Sequence, residues 1–266
     1  MIPLRDNIPS RTVPLVNYAI IAICGIVFLT QLAEDGAPGS SLVERFALIP
    51  ARLLNPEAPV VVRELVPVRG QVAIVEREAP PPSFSPWLTL LTSMFLHGGW
   101  MHFLGNMWFL FIFGDNVEDR MGHLGYLLFY VFSGVAASIA HCVSGPASTI
   151  PTIGASGAIA GVMGAYFLLY PRALVLSVVP LFVFLEMVVL PAPVFLGVWF
   201  VIQFFQGAAS ITSTQAGGVA WWAHIGGFVV GYLLAALLRA AGETRPAVER
   251  VRPYAERVGA YRYVRR

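Results

Sequence analysis

Apolar positions run in long blocks along this chain, and polar ones collect between them. The first block covers about 14–33, with LVNYAIIAICGIVFLTQL at its heart. A bilayer span needs about 20 mostly apolar residues. With no small-residue cleavage site after it, this block predicts a retained helix rather than a signal peptide. A charged loop rich in Pro and Glu follows over about 34–86, with an amphipathic helix expected near Ser41–Leu54 and strand-like alternation near Val60–Val75. His97-Gly98-Gly99 interrupts the next apolar run. Trp87–Leu96 then reads as an interfacial lead-in, and about 100–114, extended a few residues, as the second span. The third covers about 124–143, the fourth about 154–170, ending before Pro171-Arg172, and the last about 219–238. The stretch 173–208 fits one span or two.

Charge resolves that stretch. Asp, Glu, Lys and Arg are absent between Glu78 and Asp115 and between Arg120 and Arg172, and only Glu186 lies between Arg172 and Arg239. With six spans, twelve of the 17 basic residues (all Arg) fall on the N-terminal side and five on the other, where acids dilute them. The positive-inside rule then places both termini in the cytoplasm. A seventh span would throw the eight-Arg tail outside and leave Pro191-Ala192-Pro193 as its only turn. We therefore expect an in-plane or re-entrant segment over 173–190 and the fifth span over 191–208. The expected fold is an all-α polytopic membrane protein, a six-transmembrane-helix bundle with a long outer loop between helices 1 and 2. A cytoplasmic tail covers 1–13, the membrane domain 14–240 and a basic cytoplasmic tail 241–266. A chain 57% hydrophobic and 12% charged, with a mean hydropathy of +0.71, is not a disordered segment, a nucleic-acid module or an ordinary soluble enzyme. No internal repeat of the kind seen in secondary transporters is evident. Cys24 and Cys142 fall in or beside apolar runs and read as buried thiols, with no disulfide framework and no metal site.

Strong hydrogen-bonding side chains inside spans are costly, which makes them functional candidates. Four stand out: His102 and Asn106 in span two, Ser156 in span four and His224 in span six. All three spans run from outside to inside, and all four residues fall in the outer part of the membrane within a turn or two of one plane. Taken alone, Ser156 would read as a packing serine bonded to its own backbone. The neighbours change that. Gly157, Gly161 and Gly164 line span four, and Gly227 and Gly231 follow His224 on nearly one face of span six. Small residues let helices approach closely in a bilayer, which would bring the Ser156 hydroxyl to the His224 ring as an activated nucleophile. His102 and Asn106 form an i, i+4 pair whose N–H groups, with the Ser156 backbone N–H, can stabilise an oxyanion. No Asp or Glu lies in a span to orient His224, so the expected unit is a dyad. His97 and His141 read as interfacial and His123 as a solvated turn residue.

Together these pieces resemble the rhomboid family of intramembrane serine proteases. The likeness rests on His102-x3-Asn106 within HGGWMHFLGN, on Gly154-Ala155-Ser156-Gly157 and on Ala223-His224-Ile225-Gly226-Gly227. Val117-Glu118-Asp119-Arg120-Met121-Gly122 is also similar to the family's loop after the second span, and the likeness covers about 14–240. It implies a six-helix bundle with a water-filled cavity open to the outer side, a Ser156/His224 dyad, and an oxyanion hole from His102 and Asn106. It also implies single-span transmembrane proteins as substrates, a cell (inner) membrane location, and neither cofactor nor metal. Two departures are visible: Ala160 stands where some members carry a Tyr that stacks on the histidine, and Trp87 is followed by Leu88 rather than Arg. The group that orients His224 is left open. The competing expectation is a non-catalytic rhomboid-like protein that binds and routes transmembrane clients; retention of both Ser156 and His224 argues against it.

Overall fold

In a computed structural model of the chain, the described residues are 1–34, 41–68, 71–79, 84–181, 184–212 and 220–246. The arginine-rich stretch 247–266 lies outside them. Strand β1 (Ile2–Asp6) precedes helix α1 (Leu15–Leu32). Two short helices, α2 (Leu42–Phe46) and α3 (Pro50–Leu54), and a hairpin of β2 (Val61–Val68) with β3 (Gln71–Glu78) build the segment between α1 and the next long helix. Helical turns over 86–95, α4 (Thr89–Thr92) among them, lead into α5 (Trp100–Met121) and α6 (His123–Ser144). Then come α7 (Ser156–Leu169), a hairpin of β4 (Leu174–Leu181) and β5 (Phe184–Pro191), α8 (Ala192–Thr212) and α9 (Trp221–Ala240).

Helices α1, α6, α8 and α9 are long and apolar enough to cross a membrane. Helix α7 is equally apolar but has only 14 residues, and α5 ends in the polar run from Asp115 to Arg120. Ile26 and Leu29 on α1, Leu128 and Phe132 on α6, Phe205 on α8 and Leu237 on α9 all face outward. An outward apolar belt over several long apolar helices defines a polytopic helical membrane protein.

Helix α7 is the hub. It packs on α5, α6, α8 and α9, and all but a few of its residues are buried. The closest contact, with α9, is made by glycine. A Cβ added at Gly231 would run into the Gly161 carbonyl oxygen, one at Gly227 into the Gly157 oxygen, and one at Gly164 into the Phe228 oxygen. Backbone meets backbone at these points, the small-residue approach on which helix association in lipid relies. Polar side chains join the other helices: Asn17 of α1 donates to the Leu110 carbonyl of α5 at 3.1 Å and accepts from the Tyr126 hydroxyl of α6 at 2.8 Å.

Three segments depart from the sequence pattern. The single amphipathic helix expected over Ser41–Leu54 is two helices, with Ala47 and Ile49 extended between them. Pro50 forces this, because the residue before a proline is pushed out of the α region while proline itself suits a first helical turn. His123 is not simply solvated: its Nδ1 lies 2.5 Å from the Glu118 carboxylate, which also caps α1 by accepting the N–H groups of Val16 and Asn17. The segment 173–190 is a β-hairpin rather than a helix, and its β4 pairs with β1, in the order β1-β4-β5. Every position there is apolar apart from Ser177 and Glu186, so no period-2 signal announces the strands.

Strand β1 also lies against α5. The Trp108 indole donates to the Pro3 carbonyl at 2.6 Å, while Asp6 accepts from the Asn116 amide at 2.8 Å and from the Tyr166 hydroxyl of α7. Burial pushes the Asp6 carboxyl up to about 7; the Tyr166 hydrogen bond works against this and the nearby Asp115 charge adds to it. A carboxyl with a raised folded-state value contributes stability that is present below about pH 4 and lost as pH rises through 7. Thermal unfolding in detergent is expected to show wild-type Tm falling across that window by several °C more than Tm of Asp6→Asn. Parallel curves for the two proteins would show that Asp6 does not titrate in that range.

Candidate active site

The serine is delivered by a pinned loop. Leu48 and Thr152 exchange two backbone hydrogen bonds, at 3.1 and 2.7 Å, and the Gly154 N–H donates to the Ser93 carbonyl at 2.9 Å. Gly154 has φ +123°, and a Cβ there would lie 2.8 Å from His102 Nε2 and 3.6 Å from Asn106 Nδ2. Only glycine takes this backbone readily, and only a residue without a side chain lets the segment before the serine lie against the His102 ring. Ser156 then opens α7, where the first-turn N–H groups have no partner within the helix.

Helix α9 begins at Trp221, and the His224 N–H bonds back to the Ala220 carbonyl at 3.2 Å. The glycine contact with α7 sets His224 Nε2 2.8 Å from Ser156 Oγ. On the other side of the ring, Nδ1 lies 2.7 Å from the Gln203 amide oxygen of α8. That oxygen accepts, so Nδ1 carries the ring proton and Nε2 presents its lone pair to the serine hydroxyl. Trp199 lies tilted against the ring with centroids 5.8 Å apart, and Trp221 meets it edge-on at 6.1 Å.

The pair on α5 faces the same place. His102 Nδ1 accepts the Gly98 N–H at 3.2 Å, which leaves Nε2 as the protonated nitrogen and a donor. Asn106 Nδ2 is buried and has no hydrogen-bond partner. An unsatisfied buried amide costs about 1–3 kcal/mol, a cost that an incoming oxygen atom would relieve. A cavity of about 20 Å³ abuts Ser156 and is bordered by Ser93, Ser138, Thr152 and Gly154; roughly one water fits in such a space.

All four residues singled out from the sequence therefore lie in one neighbourhood, on α5, α7 and α9. Gln203 was not singled out, although the rule that flagged the others, a strong hydrogen-bonding side chain within an apolar helix, applies to it equally. His97 is buried, with neither ring nitrogen hydrogen-bonded and its ring 5.4 Å from that of His102. Burial holds its imidazole down at about 4, with the neighbouring His102 contributing, so it is neutral. His141 contacts Thr152 through Nε2 at 3.0 Å, outside the dyad. Among the described residues no cluster of His, Cys, Asp and Glu is placed to hold a metal ion.

Residues 85–241 match the model of the Rhomboid domain, well over half of the chain, and the protein belongs to the rhomboid family. It is 31% identical over 166 residues to "Rhomboid-like protein 11, chloroplastic" of Arabidopsis thaliana, covering 59% of this chain and 54% of that one. Over shorter stretches it is 38% identical across 80 residues to "Putative rhomboid protease YdcA" of Bacillus subtilis, 30% of this chain and 40% of the relative. It is 42% identical across 79 residues to "Rhomboid protease GluP" of the same organism, 30% of this chain and 15% of the relative. The chain spans about half the length, or less, of these curated relatives.

Proposed function

We propose that the protein is an intramembrane serine endopeptidase that cuts single-span membrane proteins in or next to their transmembrane segments. The observation carrying this reading is the 2.8 Å hydrogen bond between Ser156 Oγ and His224 Nε2. In this mechanism Ser156 Oγ attacks the scissile carbonyl carbon and its proton passes to His224 Nε2. The carbonyl oxygen takes the negative charge and is held by His102 Nε2–H, Asn106 Nδ2–H and the Ser156 backbone N–H. His224 returns the proton to the leaving amine nitrogen as the C–N bond breaks, leaving an acyl-enzyme. Water then attacks the acyl carbon, losing its proton to His224, and Ser156 is released with its hydroxyl restored. No cofactor or metal enters these steps. The substrate must unwind locally, because lipid cannot satisfy the backbone groups of an extended peptide. The names of the Bacillus relatives support the class of reaction.

We also place both termini in the cytoplasm and the dyad in the outer half of a cell membrane, from the arginine distribution alone. The membrane unit in this reading is 14–240, with six spans formed by α1, α5, α6, α7, α8 and α9. A serine-reactive fluorophosphonate tests the central claim on the folded protein in detergent. Labelling of Ser156, lost in Ser156→Ala, is the expected result. A folded preparation that takes no label would favour a binder of transmembrane clients instead.

A further inference from the structure

The dyad as proposed leaves one question of chemistry. An imidazole bound on one side only can take either tautomer and can turn its ring, and one tautomer presents N–H rather than a lone pair to the serine. We infer that Gln203 is the positioning residue that removes this freedom, holding His224 through Nδ1 so that Nε2 stays on the Ser156 hydroxyl. The inference rests on the Ser156/His224 reading and extends it from a dyad to a three-residue relay spread over α7, α9 and α8.

Several observations converge on it. Gln203 lies in the middle of α8, a helix with no charged residue, and it is buried rather than turned to an interface. A polar side chain in such a helix is costly to insert and needs a partner, and its amide oxygen has one in His224 at 2.7 Å. Trp199, one helical turn before Gln203 on the same face, supplies the plane against which the ring lies. A single turn of α8 thus fixes both the hydrogen bond and the tilt of the imidazole. Ala160, the residue one turn after the serine, is small and fully buried, and it leaves this work to α8.

A neutral amide also suits the surroundings. The titratable groups acting on His224 are His102 of α5 and His141 of α6, and none of the described carboxylates acts on it. A carboxylate in the same place would bring an unpaired charge into the bundle in the resting state, which is expensive there. The amide oxygen orients the ring without that cost, and gives up the extra stabilisation a negative charge would lend to the imidazolium. Loss of Gln203 should therefore cost less than the roughly 10⁴-fold seen when a charged orienting group is neutralised in a serine protease triad.

The test uses the full chain and the rate of fluorophosphonate labelling at Ser156. Gln203→Met keeps length and removes the acceptor, and is expected to slow labelling about 10–100-fold while leaving Tm within a few °C. Gln203→Glu restores an acceptor oxygen and is expected to recover most of the rate at pH 8. It should also move the acid limb of the pH–rate profile upward by about a unit, since a carboxylate beside Nδ1 favours the protonated ring. Side-chain ¹⁵N shifts of the wild-type histidines, with His224 assigned by difference from His224→Gln, give a readout that needs no folded Gln203 variant. Nδ1–H on His224 is expected. Wild-type labelling by Gln203→Met, a folded Gln203→Glu as slow as Gln203→Met at every pH, or the Nε2–H tautomer would each overturn the inference. Failure of the underlying dyad looks different: the wild-type protein itself would not label, or Ser156→Ala would label as well.

Discussion

Ser156→Ala and His224→Ala are each expected to abolish cleavage of a tagged single-span substrate co-expressed with the protein, a loss of at least about 10³-fold. Without Oγ no acyl-enzyme forms, and the donors on α5 can only assist direct attack by water. Without the imidazole the hydroxyl remains, but its proton has no acceptor: among the described residues, the group within hydrogen-bond distance of Oγ is His224 Nε2. Since both residues act in one step, the double variant should be no slower than the worse single one. Neither change should unfold the protein. Ser156 stands at the first turn of α7, where Ser→Ala removes a single oxygen atom, and His224→Ala leaves the buried Gln203 amide oxygen without its partner, a cost of about 1–3 kcal/mol. Comparable expression and Tm would separate lost chemistry from lost fold. Cleavage by either variant at the wild-type rate would rule out the mechanism.

Gly231→Val is expected to give the largest structural effect, lowering Tm by well over 5 °C and labelling of Ser156 by about 10²-fold or more. Any Cβ at Gly231 collides with backbone atoms of Gly161, which no side-chain rotation can relieve. The helices must separate, and α7–α9 is the contact that sets the distance from Ser156 to His224, two turns away. A displacement of about 1 Å in a reacting pair costs on the order of 10²-fold. Gly25→Val is the control, because a Cβ there would make only an ordinary contact, 3.8 Å from Phe103. Equal Tm and equal labelling in the two variants would mean that close α7–α9 packing is not what aligns the pair.

Much of this arrangement was legible in the sequence because lipid imposes a strict code. Apolar length gave α1, α6, α7 and α9 to within a few residues, α5 runs on to Met121 through a polar end, and α8 needed the arginine distribution as well. The glycine rows on α7 and α9 gave their contact, since backbone approach in lipid has few other solutions. The hairpin over 174–191 was not legible: its strands show no period-2 alternation, and an unbroken apolar run reads equally as helix. Pro50 divides α2 from α3, a local backbone constraint that outweighs the amphipathic pattern running across it. Gln203 escaped for a different reason. An orienting group is readily recognised as a carboxylate, whereas a helix in lipid favours an uncharged amide.

Strand β1 has a consequence for biogenesis. Just after it, the Asn7 side chain accepts from the Leu174 N–H, 167 positions later. During vectorial synthesis the leading segment must stay unpaired until more than half of the chain has followed it, so closing the sheet is a late event, after the hub helix is in place.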